Sequence, residues 1–325
     1  PVRPPLAPPR RVDYAPGTMG HLHHHRAYKD LQTRLDAMPV SFPETPEAMA
    51  ILRRLCSAEE AAFLARLPFR PRSAAAIARR QRRPLAEVTG LLNHLADRGL
   101  VLDLLHPGRQ RSYYCIAPPV VGFFEFSLMR RRADLDQPAL AAAYEAYFTS
   151  PGNFSSTLCA GPTTLGRTLV HESSLAPAEA AELLSHDQAS QIVAEAGAWA
   201  VALCYCRHKA EHLGHACDAP LENCLSLGNA TDYVVRHGHG RAIERQEAEE
   251  ILARSAEAGL VFIGDNVQQR LSYICSCCGC CCMQLQAINR FGLPGAVKTS
   301  PLLAEVDAAS CDGCGRCVRR CPIQA

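Results

Sequence analysis

The sequence predicts an α+β protein that is mainly α with small β elements, built from consecutive parts of different composition. The first observation is a series of amphipathic segments, such as PLAEVTGLLNHLADRGL and RAIERQEAEEILARSAEAG, whose apolar residues recur at helical spacing. The second is a few short apolar runs bounded by Gly or Pro, such as LVFIG, which indicate strands. The third is that 14 of the 17 cysteines lie beyond residue 200, in three tight clusters.

Composition narrows the class of protein. The 325 residues suffice for two or three domains. No apolar stretch is long enough for a membrane span, and the start lacks the apolar core of a secretory signal. Clustered cysteines fit metal ligation in a reducing cytoplasm better than a disulfide framework, so we expect a cytoplasmic protein.

Charge is distributed unevenly along the chain. Residues 1–120 hold 18 Lys and Arg against 10 Asp and Glu, whereas residues 121–325 hold 16 against 22. A basic front and an acidic back indicate different roles and different partners.

Residues 1–46 are predicted to be a proline-rich arm and linker, with a short helix from Tyr28 followed by an extended FPETP segment. The histidines of this arm are His21, His23, His24 and His25. Without a partner motif we interpret them as surface residues rather than metal ligands.

Residues 47–120 have the pattern of a winged helix-turn-helix. Two opening helices are followed by SAAAIARRQ (73–81), by a helix that starts at Pro84 and ends at Gly99, and by two strands joined at Pro107. In helix order and in its "L..L..RGLV" motif the segment resembles the winged-helix domains of MarR- and ArsR-type regulators.

Nucleic-acid binding by this domain is one interpretation, and a protein-docking or dimerisation platform is the other. The arginines that could contact phosphates are Arg79, Arg80, Arg82, Arg83, Arg109 and Arg111. However, the predicted recognition helix offers Glu87 and Asp97 to a polyanion, which weakens the DNA interpretation.

Residues 121–298 are predicted to form a helical cysteine-rich domain, with a helical stretch running through 177–204 and another over 241–259. Its first cysteine cluster has the spacing Cys204-x-Cys206-x10-Cys217-x6-Cys224. Four cysteines within 21 residues favour a metal site, with iron–sulfur, zinc and reactive or buried thiols left open. The CxC start predicts two sulfurs on one side of an extended segment. Arg207 and Lys209 would offset the negative charge of thiolate ligands.

The second cluster of this domain is a dense loop. Its cysteines are Cys275, Cys277, Cys278, Cys280, Cys281 and Cys282. Neighbouring Cα atoms lie only about 3.8 Å apart, so six thiols from so short a loop cannot all ligate one cube. We expect two to four of them to ligate, together with members of the 204–224 set or of the terminal run.

Residues 299–325 are predicted to be a truncated ferredoxin-type module. Its ligands would be Cys311, Cys314, Cys317 and Cys321, followed by Pro322, in the spacing of bacterial ferredoxins. A zinc ribbon would instead use two separated CxxC pairs. In two-cluster ferredoxins the fourth cysteine ligates the other cluster, and no second run follows here. With no initial methionine either, we expect a fragment of a longer protein, in which Cys321 is the least certain ligand.

From residue 28 onward the chain resembles a group of prokaryotic 4Fe-4S ferredoxin-domain proteins. The resemblance rests on the FPET segment, on "CYCR", "GRAI", "EAEEIL" and "ICSCCGCCC", and on the terminal cysteine run. It implies one or more 4Fe-4S clusters as cofactors and a redox partner protein, and it supplies no substrate.

These patterns favour an electron-transfer protein or an electron-relaying subunit of an oxidoreductase. The alternative is a redox-sensing winged-helix transcriptional regulator. A third hypothesis is an enzyme whose substrate binds a cluster in the CSCCGCCC loop. No GxGxxG loop, P-loop or Ser/His/Asp set appears, so an independent enzyme has little support.

Overall fold

The computed structural model describes residues 18–105, 108, 111–150, 154–159, 163–172, 175, 188–267, 269–300, 302 and 304–324. In these residues the helices are α1 Thr18–Asp36, α2 Pro46–Leu55, α3 Ala58–Leu64, α4 Ala74–Gln81, α5 Leu85–Asp97, α6 Phe124–Phe126, α7 Gln137–Thr149, α8 Phe154–Cys159, α9 Ala189–Glu195, α10 Tyr205–His212, α11 Asn229–Arg236, α12 Arg245–Glu257, α13 Met283–Phe291 and α14 Arg316–Arg320. The strands are β1 Arg72–Ser73, β2 Val101–Leu105, β3 Ser112–Ile116, β4 Gly166–Thr168, β5 Trp199–Leu203, β6 Glu222–Leu227, β7 Arg241–Ile243, β8 Val261–Asp265, β9 Tyr273–Cys277 and β10 Val297–Lys298.

Some sequence predictions fall outside the described residues. They are the proline-rich arm over 1–17, the side chains of His21, His23 and His24, the part of the predicted helix over 177–187, and Pro107 and Arg109 of the turn. Of the histidines in the arm, His25 is described, and it is exposed.

The front of the chain contains helices and a small sheet, with α2 to α5 where the pattern indicates helices. Helix α1 corrects the expectation, since it begins at Thr18, ten residues before the short helix predicted from Tyr28. Ser57 and Glu60 form a capping box at the start of α3, and Ser73 caps α4. Gly99 follows α5 with φ +78°, a conformation that favours glycine, and so ends the helix as expected. In the described residues β3 lies between β1 and β2 and is antiparallel to both.

An aromatic core connects this front part to the segment that follows it. The ring of Phe42 lies 5.8 Å from Phe123 and 5.2 Å from Tyr147, centroid to centroid. The ring of Phe124 lies 4.8 Å from Tyr144 in the same core. Each such pair contributes about 0.5–1.5 kcal/mol beyond its burial of area. These ring contacts therefore hold the segment before α7 firmly against the neighbouring helices.

The middle of the chain is built on a sheet, which corrects the expectation of a helical domain. Among the described strands the order is β10-β4-β8-β9-β6-β5-β7, with β10 and β4 parallel and the other neighbours antiparallel. The mixed structure agrees with the predicted α+β class, but the sheet is larger than small β elements.

Strand β5 occupies part of the stretch that was predicted to be helical. Ala200 and Ala202 join one buried core while Val201 joins the core on the other side. A strand covered on both faces is apolar throughout, and periodicity alone does not distinguish it from a buried helix.

Helix α11 packs the middle of the chain against the front part. The Tyr233 hydroxyl donates to the Ala96 carbonyl, and both terminal nitrogens of Arg236 donate to Asp103 at 2.8 and 2.9 Å. His237 bridges Asp103 and Asp97 through its two ring nitrogens, at 2.8 and 2.6 Å. These bonds link α11 to the end of α5 and to β2.

No helix in the described ranges combines the length and the apolar character that a bilayer crossing requires.

Candidate metal centre

The middle cysteines meet at one end of the larger sheet. Cys204 directly follows β5, Cys224 lies near the start of β6, and Cys275 lies near the end of β9. Because β6 is antiparallel to both neighbours, its start lies beside their ends. The pair Leu225↔Ile274 places Cys224 and Cys275 next to each other on adjoining strands.

A cavity of about 360 Å³ lies at this end of the sheet and is lined by cysteines from both middle clusters. Two of its cysteines, Cys278 and Cys281, belong to the loop set described below. The others, which we call the cavity thiols, are Cys204, Cys206, Cys224, Cys275, Cys277 and Cys282.

The cavity thiols are spread along the wall rather than gathered at one point. Cys275 interacts with Cys224 and Cys277, and Cys282 interacts with Cys206 and Cys277. These contacts form a continuous chain of five thiols. However, among the described residues no three of the cavity thiols have their sulfurs within 4.8 Å of one another.

Helix N-termini supply part of this site, and here the expectation of an extended CxC segment is wrong. Cys204 is the N-cap of α10 and Cys206 lies in its first turn. Cys282 is likewise the N-cap of α13. The positive end of a helix dipole stabilises a thiolate. At the start of α10 burial outweighs this effect and raises the pKa of Cys204 to about 12.

The contacts between thiols shift their pKa values in opposite directions. Hydrogen bonding to Cys224 holds the pKa of Cys275 well below its usual value, and hydrogen bonding to Cys206 does the same for Cys282. The same bonds, together with burial, raise the pKa of Cys206, Cys224 and Cys277. Along the wall, thiols with a raised pKa therefore alternate with thiols with a lowered pKa.

A second group of cysteines, the loop thiols, comprises Cys217, Cys278, Cys280 and Cys281. Cys217 lies in the connection between α10 and β6, and the other three lie in the turn between β9 and α13. Their four sulfurs all lie within 4.8 Å of one another, so these residues are close enough to bind a metal ion. Cys281 is buried and Cys280 is exposed, which places the group near the surface.

Arg207 lies between the two groups and is among the largest fully buried side chains, at 1% exposure. It donates to the Pro220 carbonyl, to the Ser276 carbonyl at 3.4 Å and to the Cys278 sulfur at 3.5 Å. Thiolate charge at Cys204 and Cys278 raises the pKa of Arg207 despite its burial. In the described part of the chain this guanidinium forms no ion pair with a carboxylate.

A carboxyl group that the sequence did not single out also lines the cavity. Glu125 accepts a hydrogen bond from the Gly122 backbone N–H at 2.9 Å. Burial raises the pKa of Glu125 to about 7, although bonds from the Gly122 and Val121 backbone favour its charged form. Val121 itself has φ +54°, a rare conformation for a β-branched residue. The only signal in the sequence is one charge inside the apolar run VVGFFEFSLM.

The terminal run is largely exposed. Cys311, Cys314 and Cys317 are exposed and Cys321 is partly buried, and these four are not brought within 4.8 Å as a group. Asn289 donates to the Pro322 carbonyl at 2.9 Å.

The end of the terminal run packs against the turn of the loop thiols. A Cβ on Gly279 would lie 2.0 Å from the Pro322 oxygen. The absent side chain at Gly279 is therefore what lets the terminal segment approach this turn.

Neighbouring basic residues and histidines differ in their positions. Arg207 contacts the thiols as expected, whereas Lys209 pairs with Glu145 instead. His208 is buried and its Nδ1 donates to the Leu128 carbonyl at 2.7 Å, and His215 is exposed.

Comparison with family models, with curated proteins and with solved structures found no match to this chain. The chemistry therefore rests on the residues themselves. The loop thiols are close enough to bind a metal ion, and the buried guanidinium of Arg207 lies beside them.

Proposed function

We propose that this chain binds iron–sulfur clusters and relays electrons between them and a redox partner protein. The strongest support is the burial of Arg207 among thiols. A buried guanidinium needs a buried negative charge, because an unpaired ion in the interior costs several kcal/mol. Here Cys204 and Cys278 supply it, provided that they are thiolates, and bound metal keeps thiolates deprotonated.

The spread of the cavity thiols favours a cluster over a single ion at that site. Around one ion all ligands approach the same point, whereas each thiolate of a 4Fe-4S cube binds a different iron. No three cavity thiols in the described residues are close enough together to approach one ion. A chain of thiols along a cavity of about 360 Å³ suits a cube, in which four thiols each bind a different iron and the remaining thiols pack beside them.

The terminal run is suited to a second, outer cluster. Its spacing is that of ferredoxins, and its sulfurs are exposed where a partner can approach. Gly313 and Gly315 adopt φ of +70° and +64°, which lets the backbone curl around the cysteines. The Pro322 oxygen lies against Gly279, so the end of this run is next to the turn of the loop thiols, which supports electron exchange between an outer and an inner cluster.

The test is anaerobic purification followed by iron and acid-labile sulfide analysis and EPR of the reduced protein. We expect iron with matching sulfide and the signals of reduced 4Fe-4S clusters. Cys275→Ser should remove one cluster, whereas Cys159→Ser, which lies outside both groups, should leave the iron content unchanged. A colourless protein that carries only zinc would rule out the proposal.

A redox-sensing winged-helix regulator is the second candidate, and one observation favours it. Strand β6, which carries Cys224, leads directly into α11, and α11 is bonded to Asp97 at the end of α5 and to Asp103 on β2. A cluster could therefore influence the elements that would contact DNA. Against it, Arg83 is paired with Glu87 on the predicted recognition helix. Absence of a gel shift at low salt with genomic fragments would exclude this candidate.

A further inference from the structure

We propose that Cys217, Cys278, Cys280 and Cys281 bind one tetrahedral metal ion, Zn²⁺ or a single iron, at a centre separate from the iron–sulfur clusters. This goes beyond the proposed electron relay, and it does not require that the cavity thiols hold a cluster.

The separations between the sulfurs match a single ion. With metal–sulfur bonds of about 2.3 Å, the edges of a tetrahedron measure about 3.8 Å. The Cys217–Cys278, Cys280–Cys281 and Cys217–Cys281 sulfur distances are 3.6, 3.7 and 3.9 Å. All the remaining pairs are within 4.8 Å. Only small side-chain movements are needed to place one ion equidistant from all four.

The same separations are too short for a cube. Each thiolate of a cubane binds a different iron, so its sulfurs must lie further apart than around one ion. The two thiol groups therefore differ in the type of centre they fit: the loop thiols converge on a point, whereas the cavity thiols line a wall.

The local electrostatics suit a four-thiolate site. Four thiolates around a divalent ion carry a net charge of about −2, which a nearby cation stabilises. Arg207 donates to the Cys278 sulfur at 3.5 Å, and its guanidinium lies between this site and Cys204. The single buried charge of Arg207 therefore stabilises thiolate charge both at the loop thiols and at Cys204.

The ion would hold together two connections that have little regular structure. Cys217 comes from the segment between α10 and β6, and Cys278, Cys280 and Cys281 come from the turn at Gly279. A closed four-cysteine site is typical of structural metal ions. Fixing this turn would also fix the surface on which Pro322 and the terminal run pack.

The experiment is metal and sulfide analysis of the full chain, purified anaerobically, with three variants. In Cys217→Ser and Cys280→Ser we expect one ion per chain to be lost while acid-labile sulfide is unchanged. In the matched control Cys224→Ser, sulfide should fall while this ion stays. If Cys217→Ser prevents folding, Cys280→Ser still provides the test, because Cys280 is exposed and its substitution leaves folding intact.

A second measurement determines the identity and the coordination geometry of the ion. X-ray absorption at the zinc or iron edge should give about four sulfur neighbours at about 2.3 Å and no metal neighbour for the sulfide-independent ion. Finding zinc alone, or one iron without sulfide, supports the single-ion centre even in a chain that lacks clusters. Failure of the proposed electron relay can therefore be distinguished from failure of the single-ion centre. Loss of iron and sulfide together in Cys217→Ser and Cys280→Ser, or a metal–metal distance for the retained ion, would overturn it.

Discussion

Replacement of Arg207 tests whether the thiols around it carry charge. Arg207→Met keeps a long apolar side chain but removes the buried positive charge, while Arg207→Lys keeps the charge and loses the planar fork. In the native protein the guanidinium donates to the carbonyls of Pro220 and Ser276, to Asn223 and to the Cys278 sulfur.

The magnitude follows from what each variant leaves behind. Removing one partner of a buried ion pair costs about 3–5 kcal/mol, because the other charge stays buried without compensation. The lysine variant leaves carbonyls without donors but keeps the pairing, so we expect a loss of about 1–3 kcal/mol. For a protein of ordinary stability, about 5–15 kcal/mol, the methionine variant is severely weakened.

The assay is urea unfolding of the metal-loaded proteins under anaerobic conditions, with iron, zinc and sulfide measured on the same samples. We expect Arg207→Met to lose both stability and metal, and Arg207→Lys to retain most of its metal. Equal stability and equal metal content in the two variants would refute the idea that Arg207 balances thiolate charge.

Further substitutions test other parts of the molecule. Gly279→Ala should push the Pro322 backbone away, since the added Cβ would lie 2.0 Å from its oxygen, and limited proteolysis should then release the terminal run faster. Gly295→Ala, which meets nothing within 4 Å, is the control, and equal cleavage rates in the two variants would contradict the packing. Burial lowers the pKa of His239 to about 3, below its unfolded value of about 6.5. Because the unfolded chain binds the proton first, the free energy of unfolding should fall by up to about 1.4 kcal/mol per pH unit as pH drops below about 6.5. His239→Gln should lack this slope in urea unfolding at several pH values, and parallel curves would contradict it. Val121→Asn should raise the free energy of unfolding by about 1 kcal/mol, because asparagine tolerates φ +54° better and the valine is 40% exposed; a decrease would contradict strain at this residue.

Helices α2 to α5 of the front part were accessible from sequence, because their signals are local. Ser57 with Glu60, Ser73 and Gly99 mark helix ends by side-chain and backbone chemistry within a few residues. The strand at Trp199–Leu203 was mistaken for helix, since its character depends on the cores that cover both of its faces.

The sequence predicted which cysteines form the candidate site, but not how they divide into cavity thiols and loop thiols. Spacing identified every middle cysteine that lines the cavity or the loop group. It did not indicate that Cys217 joins Cys278 rather than Cys224, which is closer in sequence. It also did not indicate Glu125, since a single carboxyl in an apolar run has no spacing to identify it.

The sequence by itself predicted an α+β chain and the dense thiols that are close enough to bind a metal ion. Ligand type and local spacing are properties of short segments, so they can be recognised without a fold. Only the tertiary structure decided which sulfurs converge, because antiparallel pairing of β5, β6 and β9 brings distant cysteines to one end of the sheet. The same long-range packing buried Arg207 between the two thiol groups and placed Pro322 against Gly279. Those distances, set by residues some 60 positions apart such as Cys217 and Cys278, are what distinguish a point-like site from a thiol-lined wall.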